Sequence, residues 1–260
     1  MTRRDGGLET AIGPGHAFTR VLQAGDEGLL FEFGAGIDPI VNARAQAFAE
    51  TVRAARIPGV RGVTPGYLSV LVEFDTGQVD ARDLPGALAA LAALGGAAAP
   101  GRPARRHAIP VCYGGEMGPD LEEVASATGL APDEVVRLHA GQEYRVYCLG
   151  FSPGFPLCAP LPAALRLPRR SQPRTRVPQG SVAIAGLQTG IYPLETAGGW
   201  HLIGRTPASV FAWGRPNAAA ILPGDTIAFR PVGEEEYREI ADRAAIAETL
   251  ARNLEGGADG

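Results

Sequence analysis

His201 and Arg205 have the side chains needed to grip an anion and to move a proton. If Trp200 to Arg205 forms a regular strand, His201, Ile203 and Arg205 share one face and Trp200, Leu202 and Gly204 the other. Arginine offers a planar fork that matches a carboxylate, and imidazole titrates near neutral pH. A solvated sheet face would show the same pattern. Five arginines, Arg166, Arg169, Arg170, Arg174 and Arg176, lie in a stretch stiffened by Pro168, Pro173 and Pro178. Such a loop either holds guanidinium groups ready for an anionic ligand or partner, or is a solvated basic segment.

Other patterns point away from familiar chemistries. Gly150-Phe151-Ser152-Pro153-Gly154 spells G-x-S-x-G, but the residue after a nucleophilic serine must donate its backbone NH, and Pro153 has none. A rigid turn presenting Phe151 and Phe155 is the expectation instead. Neither the four histidines nor Cys112, Cys148 and Cys158 have metal-ligand spacing, and the three thiols read as reduced core residues. His139 at a helix end suits an imidazolium beside the negative pole. Gly198-Gly199 reads as a hairpin turn.

Composition narrows the field further. The chain has 260 residues, 45% apolar and 20% charged, enough for two modest cores. A net charge of -4 and a pI near 5.6 disfavour nucleic acid and anionic membrane as main partners. No apolar run is long enough for a membrane span and Met1 to Gly7 lacks a secretion signal's order, so a cytoplasmic protein is expected. All 24 basic residues are arginine. Without lysine this chain has no Walker lysine, Schiff base or biotinyl-lysine, so ATP, if used, belongs on another chain.

The elements that must position these residues follow in two grammars. Strands at Ala17 to Gln23 and Gly28 to Phe33 precede a helix bearing Ile40, Ala43, Ala47, Phe48, Val52 and Ala55, capped by Asp38 and opened by Pro39. Pro58-Gly59 should end it. Strands at Gly59 to Val63 and Tyr67 to Phe74 then lead to a helix carrying Leu84, Leu88, Leu91 and Leu94. That order suits a ferredoxin-like α+β domain with both helices on one face. Gly95 to Arg106 reads as a linker. Helices at Leu121 to Thr128 and Pro132 to His139 follow. Strands at Tyr144 to Gly150, Ser181 to Ala185, Gly190 to Pro193, Trp200 to Arg205 and Thr226 to Pro231 then suggest a barrel. Residues from Glu234 to Leu254 read as a helical tail.

Ordered motifs span the second half. Ile109-Pro110-Val111-Cys112-Tyr113-Gly114-Gly115, Pro119-Asp120-Leu121, Tyr144-Arg145-Val146 and Leu149 to Phe155 come first. Pro168-Arg169-Arg170, Pro173-Arg174, Val177 to Ile184, Gln188 to Pro193, Gly198-Gly199-Trp200, Ile203 to Pro207 and Pro223-Gly224-Asp225 follow. The chain so resembles the family of 5-oxoprolinase B-type subunits (PxpB), also called KipI-type histidine-kinase inhibitors or allophanate hydrolase subunit 1, with its carboxyltransferase subdomains C and D. The resemblance implies an N-terminal α+β domain, here 1-100, a cyclophilin-like β-barrel, here 101-235, and a helical tail, 236-260. It implies pairing with a larger PxpC/KipA-like C-type subunit and an A-type subunit, action on a small molecule, and ATP bound by a partner with no cofactor on this chain. Three activities are compatible: ATP-dependent opening of 5-oxoproline to glutamate, kinase inhibition, and carboxyltransferase work in urea or allophanate metabolism. The 5-oxoprolinase role is favoured for a stand-alone chain. The expected site is a barrel pocket with His201 and Arg205 as catalytic residues and Gln188, Tyr192, Arg174 and Arg176 binding substrate. Two departures from the family pattern stand at Thr196-Ala197, for Ser-Pro, and Phe211-Ala212, for Phe-Asp.

Overall fold

A computed structural model describes residues 9–11, 18–94, 103–214, 218–243 and 245. His16, most of the expected linker (95–102) and the tail beyond residue 245 lie outside them. The chain divides into two compact units between Ala104 and Arg105.

The first unit is a five-stranded antiparallel sheet in the order β1-β2-β3-β5-β4. Its elements are β1 (Glu9–Ala11), β2 (Arg20–Gln23), β3 (Gly28–Glu32), α1 (Pro39–Ala55), β4 (Val60–Pro65), β5 (Ser69–Phe74) and α2 (Leu84–Leu94). β5 runs antiparallel to both β3 and β4, so those two are parallel with β5 between them, the split crossover that α1 closes. Alternate residues Leu29, Phe31, Phe33, Val70, Val72 and Phe74 form one core with Phe48, Val52, Leu84 and Leu88, which puts both helices on one sheet face. Asp38 caps α1 by accepting from the amides of Ile40 at 2.7 Å and Val41 at 3.3 Å, worth about 1 kcal/mol. The helix ends before the expected Pro58-Gly59, because Arg56 turns left-handed at φ 45°.

The second unit is a closed seven-stranded barrel in the order β10-β11-β8-β7-β14-β6-β13. Its strands are β6 (Arg106–Tyr113), β7 (Glu143–Leu149), β8 (Pro156–Ala159), β10 (Ser181–Ala185), β11 (Gln188–Ile191), β13 (His201–Arg205) and β14 (Thr226–Pro231). A separate pair, β9 (Arg174–Val177) with β12 (Thr196–Gly198), stands beside it. β8, β9 and β12 are short and irregular in pattern, and sequence periodicity does not reveal them. Helices α3 (Leu121–Thr128) and α4 (Pro132–Ala140) supply Leu121, Val124, Ala125 and Val135 to the same core as inward-facing Val111, Val146, Ile184, Ile191 and Ile203. Helices reach the inside of a closed barrel only through an end, so this pair plugs one.

Outside the barrel, Phe155, Val177, Ala183, Ala185, Tyr192, Trp200 and Leu202 form a second cluster. Gly198 is a strand residue at the edge of that cluster, which corrects the hairpin-turn expectation. A Cβ there would stand 2.2 Å from the Tyr192 hydroxyl, so only glycine lets the phenol pass.

Candidate functional site at the plugged end of the barrel

Asp120 stands before α3 where an N-cap belongs, yet its side chain makes no cap hydrogen bond. It turns to the proline-arginine loop and β13 instead. Arg170 Nη1 donates to Oδ1 at 3.0 Å, and Arg174 donates to Oδ1 at 2.6 Å and to Oδ2 at 2.8 Å. The Leu202 amide completes the set at 2.7 Å. Asp120 is 2% exposed, and the four donors stand in for the water that its carboxylate gives up on burial. This clasp ties together α3, the loop 168–174 and β13.

The clasp sets His201 in place. Its Nε2 lies 2.9 Å from the Pro168 carbonyl, which can only accept, so Nε2 carries the proton. Nδ1 is buried without a hydrogen-bond partner, and the nearest charge is Glu123 Oε1 at 3.8 Å. The other oxygen of Glu123 accepts from Arg170 Nη1, a bond that is the foremost cause raising the Arg170 pKa. Arg170 Nε, like His201 Nδ1, is buried with no partner. The result is a half-exposed carboxylate seated against a guanidinium and an imidazole.

The expected site residues do not all meet here. Arg174 belongs to the clasp and is already satisfied. Arg176 pairs with Glu195 at 2.8 Å on the exposed surface, where such a pair contributes little. Arg205 requires a correction. β13 carries a bulge: Ile184 opposes His201 and Ala183 opposes Leu202, but Val182 opposes Gly204 and Ser181 opposes Arg205. The extra residue reverses the alternation, so His201 faces the side of inward Val182 and Ile184 while Arg205 faces outward beside Ser181. His201 and Arg205 therefore do not share a face. Gln188 opposes Ala185 and also faces outward. Tyr192 is 1% exposed and packs edge-on against Phe155 at 4.9 Å. Burial pushes its phenol pKa up, against the Trp200 amide that bonds to it. Tyr192 thus serves as core beneath the outer face.

Three further expectations resolve in this unit. His139 is not an imidazolium at a helix end. It is fully buried, stacked 4.6 Å from Phe229, and burial lowers its pKa to about 3. Thr189 spends its hydroxyl proton on the Ala183 carbonyl at 3.1 Å, so it accepts from His139 Nε2 at 2.8 Å. The Tyr113 hydroxyl, 2.8 Å away, must then donate to Nδ1. Every group is satisfied with the ring neutral. Ser152 Oγ is buried without a partner, so no base activates it. The turn presents Phe151, which is 68% exposed at φ 66°, but Phe155 is buried in the outer cluster against Tyr192 and Trp200. The three cysteines are free and buried, with the Cys148 thiol pushed up to about 12 by desolvation. Among the described residues no group of three or more histidine, cysteine or acidic side chains could hold a metal ion. No helix among them is long and apolar enough to cross a membrane.

Asp120 and Glu123 escaped sequence reasoning. An aspartate ahead of a helix looks like a cap, and Glu123 looks like first-turn dipole compensation. Only the absence of a cap bond distinguishes them.

Residues 19–221 match the family model of the carboxyltransferase domain, subdomain C and D. The chain belongs to this family. The B-type subunit of 5-oxoprolinase from Bacillus subtilis (strain 168) is 38% identical over 230 residues, covering 84% of this chain and 95% of that protein. The motif-based resemblance to that subunit's family therefore holds. The crystal structure of TTHA0988 is similar with a TM-score of 0.70 and 41% identity, over 79% of this chain and 40% of that one. The Kluyveromyces lactis urea carboxylase shares the fold, with a TM-score of 0.72 at 21% identity over 90% of this chain and 24% of its own. The chain thus spans less than half the length of these two solved chains. Across the carboxyltransferase match, the Asp120 clasp, His201 and the arginine loop all lie inside the matched residues.

Proposed function

We propose that this chain is the non-ATP-binding subunit of an ATP-dependent 5-oxoprolinase, opening 5-oxoproline to glutamate together with a larger C-type subunit and an A-type subunit. The observation that carries this reading is its similarity to 95% of the length of a protein named as the B-type subunit of 5-oxoprolinase. The seven-stranded barrel is read as cyclophilin-like and the first unit as ferredoxin-like, with working boundaries at 1-100 and 101-235 and the tail at 236-260. ATP is assigned to a partner, in keeping with the lack of lysine here, and the complex to the cytoplasm.

Within that assembly His201 is the residue assigned to position or shuttle a proton, because its Nδ1 has no protein partner. Arg205 takes a separate role on the outer face, where among the described residues no carboxylate pairs with it. It is a candidate to hold an anionic group offered by substrate or the larger subunit, with Gln188 on the same face.

The test is glutamate release from 5-oxoproline plus ATP by the co-purified subunits, with and without this chain. Turnover should require the chain, and His201→Ala should lower kcat by at least about 100-fold, the usual share of a positioned proton-transfer group. Equal turnover in both mixtures would end the subunit assignment. Full activity of the His201 variant would remove only its catalytic role.

A further inference from the structure

Phe151 is the wrong residue for its backbone. It sits at φ 66° in the centre of a three-residue turn, in which the Ser152 amide donates to the Gly150 carbonyl at 2.8 Å. Such a turn is rare and strained, and a bulky side chain adds to its cost. Gly154, three residues on, has φ 77° and is glycine, the residue that a left-handed backbone favours. Burial does not offset the strain at Phe151, which meets Phe155 at 5.6 Å and Tyr192 at 6.1 Å yet remains 68% exposed. Strain kept for the sake of an exposed aromatic ring points to something outside the chain.

The turn is the middle of a larger aromatic surface. Beneath Phe151, buried Phe155 packs edge-on against Tyr192 at 4.9 Å and Trp200 at 5.5 Å. Gly154 lies against Phe211, where a Cβ would stand 2.5 Å from the ring, and Phe211 in turn packs against Trp213 at 4.9 Å. Trp213 is 69% exposed. Two exposed rings are thus fixed to one short turn. Together they leave roughly 300 Å² of aromatic surface in water, a large share of the roughly 800 Å² that each side of a stable protein interface covers.

Charge narrows the kind of partner that fits. Arg169 is exposed and pairs with no carboxylate among the described residues. It stands close enough to Tyr192 for its charge to act on the phenol, whose pKa burial pushes up. The next residue fixes the loop there, because the Arg170 amide donates to the Gly199 carbonyl at 2.8 Å. A second copy docking about a twofold axis would bring two of these uncompensated cations into one contact. A partner that offers an apolar socket edged by a carboxylate meets both the rings and the cation.

We infer that Phe151 and Trp213 anchor the larger C-type subunit, which covers this surface with an apolar socket edged by an acidic side chain facing Arg169. The partner's identity rests on the subunit reading above, whereas the surface and its chemistry come from the turn and the arginine loop themselves.

Calorimetric titration of the full chain with the purified C-type subunit tests it. Phe151→Gly should hold or raise the urea-unfolding midpoint, since glycine accepts the left-handed backbone, yet weaken binding at least about 30-fold, the loss typical of a buried aromatic anchor. Arg169→Glu should weaken binding as well, and added salt should lower the affinity of the unmodified chain more steeply than that of Arg169→Gln. Trp213 emission, read as the difference between the unmodified chain and Trp213→Phe, should move to shorter wavelength in the complex. Unchanged binding by Phe151→Gly, or a loss of binding that merely follows a loss of fold stability, would overturn the docking surface. So would a concentration-dependent dimer of the chain alone that Phe151→Gly abolishes, because a second copy would then be the occupant. Glutamate release separates this from the functional reading. Turnover that needs the chain, with binding indifferent to Phe151, sinks the surface alone; Phe151-dependent binding without turnover sinks the 5-oxoprolinase assignment alone. No complex with the unmodified chain would end both.

Discussion

Acid should destabilise the barrel through His139. Burial holds this imidazole neutral, with a pKa of about 3 against an ordinary value of 6.5. The folded pKa is depressed, so the unfolded chain binds the proton first, and stability present above pH 6.5 is lost as pH falls toward 3. Each pH unit inside that window costs about 1.4 kcal/mol, or roughly 2 kcal/mol by pH 5. Trp200 and Trp213 both lie in the second unit, so tryptophan fluorescence during urea unfolding reports on the barrel alone. His139→Gln offers an amide that can donate toward Thr189 and a carbonyl that can accept from Tyr113, without a titrating proton. The difference in unfolding free energy between the two proteins isolates His139 from every other ionisable group. The unmodified chain should lose about 2 kcal/mol more than the variant between pH 6.5 and 5. Parallel pH profiles would refute both the neutral ring and the hydrogen-bond directions assigned to it.

Two stability predictions concern the framework of the candidate site. Asp120→Asn should cost the barrel about 3–5 kcal/mol in urea unfolding, because an amide nitrogen then meets arginine and backbone donors inside a buried cluster; a loss under about 1 kcal/mol would mean the clasp is not what holds loop 168–174. Gly198→Ala should destabilise by about 1–3 kcal/mol through collision with the Tyr192 hydroxyl. A double-mutant cycle with Tyr192→Phe should recover part of that loss, and strict additivity would show that the two positions do not meet.

Legibility differed sharply between elements. α1, α3 and α4 are readable because each pairs a helical period with a local start signal: Asp38 and Pro39, the acidic Glu122 and Glu123, Pro132 and Asp133. β10 and β14 are readable as apolar runs bounded by glycine and proline. β8, β9 and β12 are too short for periodicity; β8 pairs with neighbouring β7, but its other partner β11 and the β9–β12 pairing join segments that are separated along the chain. The arginine loop was visible as a concentration of charge, but not the carboxylates that consume it. Arg170 and Arg174 meet Asp120 across 50 and 54 residues.

Features that depend on neighbours in the chain were set at the level of sequence: two units, a mixed α and β content, the motifs that mark the family, and the lack of any lysine for phosphate or Schiff-base chemistry. Folding settled everything that depends on side chains brought together from afar. One bulged residue in β13 separates His201 from Arg205, since side-chain direction in a strand reverses with each residue inserted. Long-range burial decides that His139 is neutral core while His201 keeps a buried nitrogen without a hydrogen-bond partner. Local pattern cannot tell those two histidines apart, because a proton's position is set by the acceptors that folding places around the ring.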